Sequence, residues 1–196
     1  MKKFFCICCL FWGAIANVIA GNYFELTPHG FKSAGSKDFV VVAVDENKTG
    51  KEILSDLRYC IQNTLPVDND NSWIVNENQI MVSSYKLDLY RLKAGPLVNF
   101  IMDLDFTLRF EVKDGKFRID APIIKNIGVH RFMIPRMVVF ANPKDYKEFT
   151  KKQFIFNYSD GSVRNAEAKY AIESYINNIL SEIIEKVKAN NNTEDW

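Results

Sequence analysis

The longest regular pattern in the chain lies between Phe100 and Val112. Phe100, Met102, Leu104, Phe106, Leu108, Phe110 and Val112 take every even position, while Asp103, Asp105, Thr107, Arg109 and Glu111 take most of the odd ones. Successive side chains of a strand point to opposite faces, so a period of two predicts a strand with one dry and one wet face. It runs into Asp114-Gly115, a pair favoured in two-residue type I′ turns, where both central residues need positive φ. That turn sets Lys113 against Lys116, and pairs Val112 with Phe117, Phe110 with Ile119 and Leu108 with Ala121. On the wet face Glu111 then meets Arg118 and Arg109 meets Asp120. Two opposite-charge pairs follow from a register chosen by the turn alone.

Other elements follow from the same reasoning. Residues 39–44 are apolar and β-branched, which predicts a strand covered on one face and partly on the other. Thr49 and Glu52 have capping-box spacing, and Ile53, Leu54, Leu57, Cys60 and Ile61 recur on one helical face until Pro66 ends the run. Residues 79–92 read as a strand with Tyr85, Leu87 and Leu89 on one face and Lys86 and Asp88 on the other. Residues 94–96, Ala-Gly-Pro, turn the chain. Ahead of these, residues 21–37 read as irregular apart from a short strand at 23–26.

Beyond Ile127 the pattern is less regular. A short strand is expected at 137–140, a brief helix from Asn142-Pro143 to about Lys152, and an edge strand at 154–158 followed by a turn at Asp160-Gly161. A long helix spans 165–188, with Ile172, Tyr175, Ile176, Ile179, Leu180, Ile183, Ile184 and Val187 in one stripe. Residues 190–196 are expected to fray.

The order strand, helix, three or more antiparallel strands, helix predicts an α+β two-layer sandwich, an antiparallel sheet with its helices on one face. The hairpin core Phe106-Thr-Leu-Arg-Phe-Glu-Val-Lys-Asp-Gly-Lys-Phe-Arg-Ile-Asp120, set after a helix, resembles a family of exported bacterial domains of unknown function. That family has a fold like the TATA-box-binding protein, β-α-β(4)-α. The resemblance covers residues 39–127 and, less specifically, the C-terminal helix. Residues 130–154 depart from it and read as a possible insertion. It implies a fold and brings no catalytic or binding residues.

The amino terminus changes the picture of compartment. Lys2-Lys3 precede an uncharged, largely apolar stretch to Ala20, the parts of a secretory signal peptide. Val18-Ile19-Ala20 favours a mature start at Gly21, and Ala14-Ile15-Ala16 offers a second at Asn17. A retained anchor is the competing reading, since the run is only slightly shorter than a membrane span. Residues 1–20 are thus read as a signal and 21–196 as a single domain, exported to the periplasm or beyond the cell, with no membrane span after cleavage. Without the leader, Cys60 is the one cysteine remaining, so no intramolecular disulfide is expected. Loss of Lys2 and Lys3 turns 25 basic against 24 acidic residues into 23 against 24. That balance gives no attraction to nucleic acid.

Candidate chemistry is sparse. His29 and His130 lie about a hundred residues apart, and Cys60 sits on an apolar helix face. No metal site is expected from them. Asp68-Asn69-Asp70-Asn71-Ser72 opens like a calcium loop, but Trp73 stands where glycine is required and Gln79 where glutamate is. Asp103 and Asp105 share a strand face, and paired carboxylates run glycoside hydrolysis only when they flank a cleft. No P-loop, dinucleotide fingerprint or nucleophile elbow occurs. No catalytic residue, cofactor or metal is therefore expected, and DNA binding is not inferred from the fold. The reading is a non-enzymatic interaction module for an envelope protein or small ligand, with a hydrolase as the alternative. The candidate patch is His130, Arg131, Phe132, Met133, Ile134 and Arg136, a mix of apolar and basic residues of the kind that marks partners.

Overall fold

The computed structural model describes residues 21–35, 37–66, 72–95, 98–131, 134–137, 155–157 and 159–190. A hairpin of β1 (Phe24–Thr27) and β2 (Gly30–Ser33) precedes β3 (Phe39–Ala43) and α1 (Gly50–Gln62). Six strands follow: β4 (Trp73–Asn76), β5 (Gln79–Gly95), β6 (Val98–Lys113), β7 (Lys116–Asp120), β8 (Ile123–Arg131) and β9 (Ile134–Met137). The last described element is α2 (Ala166–Ala189). The architecture is α+β, an antiparallel sheet with both helices on one face.

The seven-stranded sheet is five strand positions wide. β4, β5 and β6 come first. β7 and β8 then lie end to end along the other side of β6, interrupted at Ala121-Pro122, with β3 beside β7 and β9 beside β8. The alternation seen in the sequence sets the layers. Met102, Leu104, Phe106, Leu108, Phe110 and Val112 are all buried beneath the helices. Full burial of such side chains is worth about 1.5–3 kcal/mol each.

Helix α1 begins on the capping box that its sequence encodes: the Thr49 hydroxyl accepts from the Glu52 amide, and the Glu52 carboxylate accepts from the Thr49 amide at 2.7 Å. Those bonds hold the Glu52 carboxyl below its usual range. Its buried face is Ile53, Leu57, Cys60 and Ile61. Burial pushes the Cys60 thiol up, which suits a small core residue and not a nucleophile. Helix α2 starts at the Asn165 cap and buries Ile172, Ile176, Ile179, Leu180, Ile183, Ile184 and Val187. Tyr175 is partly buried, edge-on to Phe106 at 6.0 Å. Ser84, a polar residue on the dry face, donates its hydroxyl to the Pro66 carbonyl at 2.7 Å, so its burial strands no polar group.

Several expectations need correction. The β6–β7 register is Lys113–Lys116, Val112–Phe117, Glu111–Arg118 and Phe110–Ile119, as the turn implies. The paired ladder stops there and does not reach Leu108–Ala121. The turn itself is not type I′, because Gly115 has φ +74° while Asp114 is not in the positive region. Docking onto α1 explains this. Asp114 Oδ1 accepts from the Gly50 amide at 2.8 Å, and the Gly115 amide donates to the Lys48 carbonyl at 2.9 Å. The turn caps the helix instead of standing free.

The short strand expected at 23–26 is β1, but residues 30–33, expected to be irregular, are a strand as well. The two form the β1–β2 hairpin, whose Phe24, Leu26 and Phe31 are buried. In β5, Leu87-Asp88-Leu89 bulge opposite the single residue Asp103, because Lys86 pairs with Leu104 and Tyr90 with Met102. Asp88 takes φ +51°, which Asp tolerates, and binds Arg91 at 2.7 Å. The helix-side positions are therefore Ile80, Val82, Ser84, Lys86 and Tyr90, and Leu87 is exposed. Finally, a strand not foreseen, β9 at Ile134–Met137, pairs with the end of β8; the strand expected at 137–140 lies, apart from Met137, outside the described residues. Pro135 fits there, outside the sheet's interior.

Of the edge strand expected at 154–158, the described residues 155–157 form a single bridge, Phe156 to Val163, with Ile155 and Phe156 buried. The brief helix at 142–152, the calcium-like segment at 68–71, the signal segment and the terminal 191–196 lie outside the described residues.

Candidate interaction face

The face of the sheet opposite the helices is built in cross-strand rows, because directly paired residues project to the same side. One row runs Val41, Arg118, Glu111, Gln79 and Asn76 across β3, β7, β6, β5 and β4. In the next, Phe39 pairs with Asp120, and Arg109 with Met81 and on to Ile74. A third sets Ile123 of β8 against Thr107 and Ser83. Each row carries an apolar side chain at one or both ends: Val41 is 55% exposed, Ile74 50% and Ile123 57%.

Between those ends the polar groups bind one another. Arg118 meets Glu111 at 2.8 Å, and Arg109 meets Asp120 at 3.3 Å. Arg118 Nε also lies 3.0 Å from Asp120, an ion pair not aligned for a hydrogen bond. Ser83 and Thr107 share a hydrogen bond of 3.1 Å, and Lys125 Nζ donates to Ser83 at 2.7 Å. At the β3 side the face dips into a hollow of about 200 Å³ between Phe39, Val41, Lys113, Lys116 and Arg118. The Arg118 guanidinium stacks 5.3 Å from the Phe39 ring, and Lys37 Nζ lies 5.4 Å from it.

A second concavity, about 650 Å³, lies between β1 and α2, with Asn22, Lys169, Tyr170, Glu173, Ser174 and Asn178 among its lining residues. Lys169 reaches Glu173 at 2.6 Å and Glu25 at 3.1 Å. Burial opposes its charge, but the two carboxylates outweigh it and keep the ammonium protonated above its usual range. An amine held charged is neither base nor nucleophile at neutral pH.

The residues singled out in the sequence are scattered. His29 is exposed at the β1–β2 turn and Cys60 lies on the buried face of α1. Asp103 and Asp105 lie on the open face, where Asp103 Oδ1 accepts from the Asp88 amide at 2.7 Å, and neither lines the hollow or the groove. Of the candidate patch, His130 and Arg131 fall at the end of β8 and Ile134 and Arg136 in β9; Phe132 and Met133 lie outside the described residues. Sequence reasoning missed Val41, Ile74 and Ile123 as face residues. Their signal was the pairing of β3, β4 and β8 with the central hairpin, which no local pattern contains. Among the described residues no cluster of three His, Cys, Asp or Glu side chains is placed to hold a metal. No described helix is long and apolar enough to cross a membrane.

No family model matches the chain, and no curated protein matches it. Two solved structures are similar to it. One is a TBP-like protein from Parabacteroides distasonis, 14% identical with a TM-score of 0.44, over 76% of this chain and 90% of that one. The other is a DUF4468 family protein from Bacteroides ovatus, 8% identical with a TM-score of 0.48, over 76% of this chain and 84% of that one. The first is named for the same fold that the hairpin core resembles.

Proposed function

We propose that this chain is an exported, non-catalytic binding domain of the cell envelope, which uses the open face of its sheet as a contact surface. The observation that supports this reading is the layout of that face. Exposed aliphatic anchors at Val41, Ile74 and Ile123 flank charges that are already paired, such as Arg118 with Glu111. A partner covering such a surface gains apolar burial at the anchors and leaves the Arg118–Glu111 and Arg109–Asp120 pairs matched. Polar groups tied to each other across a broad face suit recognition better than proton transfer, which needs groups converging on one reacting atom.

Of the candidate patch, His130 joins the proposed surface by register, opposite Ile101, whereas Arg136 falls, through Val129, in the row of Met102 on the helix side. Lys2-Lys3 and the apolar run after them support export, and with it a partner in the envelope, a protein or a small ligand. The near balance of charge supports a partner other than nucleic acid.

A photo-crosslinking residue at Ile123, used in whole cells, tests the proposal against the same residue at Tyr59, which is 63% exposed on α1. Adducts from Ile123 and none from Tyr59 are expected. Equal labelling from both positions, or adducts from Tyr59 alone, would overturn it.

A further inference from the structure

Among the described residues, strand β3 is an outer strand of the sheet with β7 on one side. The ladder fixes which of its peptide groups face outward. The Asp38 carbonyl accepts from Ala121 at 3.1 Å and the Val44 amide donates to Gly115 at 2.9 Å, so the even-numbered residues bond inward to β7. Alternation then turns the amide and carbonyl groups of Phe39, Val41 and Ala43 away from it. The strand between is Phe-Val-Val-Val-Ala, with no charge and no proline. Edges of this kind pair with further strands unless they are blunted.

We infer that β3 pairs antiparallel with β3 of a second copy of this chain, joining two sheets edge to edge. The register is set by Val41 opposite Val41 of the second copy, with Phe39 opposite Ala43. All three are outward-bonding positions, so both strands present their donors and acceptors together. This register also places Lys37 of each copy opposite Asp45 of the other. The apolar strand is thus bracketed by an opposite-charge pair at each end. An arbitrary extended peptide would need an acid and a base at that same separation, and the flanks of β3 supply both.

On the open face the seam joins Phe39, Val41 and Ala43 of each copy. Val41 is 55% exposed in the single chain and Ala43 is also exposed. Pairing covers them and leaves Arg118 of the two copies separated by both β3 strands. This association goes beyond the proposed contact face: it covers Val41, one of that face's anchors, and leaves Ile74 and Ile123 open, so each is tested by its own experiment.

The test is the mass of the purified protein in sedimentation velocity over a wide concentration range. Val41→Pro removes one outward amide per chain and leaves the ladder with β7 intact. Lys37→Glu sets like charges opposite each other, and adding Asp45→Lys restores attraction with the signs exchanged. The wild type is expected to reach the mass of two chains as concentration rises, and Val41→Pro to stay at one. Lys37→Glu should need a higher concentration to dimerise, and the double variant should recover. If Val41→Pro fails to fold by circular dichroism, the charge variants decide. A wild type of single-chain mass at every concentration would overturn the inference, as would Val41→Pro of wild-type mass or a double variant no better than Lys37→Glu.

Discussion

Asn177 of α2 binds the Phe24 peptide at both of its polar ends. Its Oδ1 accepts from the Phe24 amide at 3.1 Å and its Nδ2 donates to the Phe24 carbonyl at 2.9 Å. The same oxygen takes the Tyr23 amide at 3.1 Å, while Glu173 takes the Leu26 amide at 2.7 Å and Ser181 Oγ the Gly21 amide at 3.3 Å. The helix thus satisfies the edge of β1 in place of another strand, which is how a two-stranded hairpin persists beside the main sheet.

Asn177 is 4% exposed, so removing its amide strands two buried backbone groups. Asn177→Ala should cost about 2–6 kcal/mol, at roughly 1–3 for each unpaired group. Urea unfolding with an unchanged slope checks this, and a midpoint equal to wild type would show that the hairpin does not depend on the helix.

The β6–β7 turn makes a second prediction. A side chain at Gly115 must adopt φ +74°, and its Cβ would lie 3.3 Å from Glu46 Cα and 3.4 Å from the Asp45 carbonyl oxygen. Gly115→Val should therefore destabilise the domain far more than Asp114→Ala, which loses one helix-capping bond worth about 1 kcal/mol. Thermal unfolding of the two variants ranks them, and the reverse order would mean that the turn does not dock on α1.

Residues 109 and 110 are neighbours with opposite fates. Phe110 is fully buried and tilted against Phe117 at 6.3 Å, whereas Arg109 is half exposed beside Asp120. Phe110→Ala should cost about 3–5 kcal/mol. Arg109→Glu should cost no more than about 1 kcal/mol, since exposed pairs are weak. Denaturant midpoints decide, and a larger loss at Arg109 would exchange the dry and wet faces.

What was legible in the sequence follows from where information is local. Alternation from Phe100 to Val112, the Thr49–Glu52 box and the stripe from Ile172 to Val187 each encode an element within one segment, and all three stand in the fold. The β5 bulge escaped because three residues opposite one shift which positions lie beneath the helices, and only the pairing with Asp103 reveals it. The β1–β2 hairpin escaped because its anchor is distant: Asn177, Glu173 and Ser181 read as the solvated side of a helix until a strand is laid against them. The open face was half legible. Its charges lie on β6 and β7, but its apolar ends come from strands that join through long-range pairing.

Alkaline pH probes the junction of β5 and α2. Burial and a 2.5 Å hydrogen bond to Glu167 push the Tyr90 phenol up to about 12. The folded value lies above the unfolded one of about 10. The contribution is therefore complete below pH 10 and is lost as pH rises through 12. Tyr90→Phe should be less stable than wild type by about 1 kcal/mol at neutral pH. The gap should narrow between about pH 10 and 12, and a gap independent of pH over that window would contradict the bond.

A sheet covered by helices on one face and open on the other is tested most directly by thiol reactivity. Cys60, 1% exposed, lies on the buried face of α1, and Ile123, 57% exposed, lies on the open face of the sheet. In Ile123→Cys, labelled in the native state and mapped by mass spectrometry, the residue at 123 should react nearly as fast as in denaturant while Cys60 stays protected. Fast modification of Cys60 together with protection at position 123 would contradict the assignment of both faces.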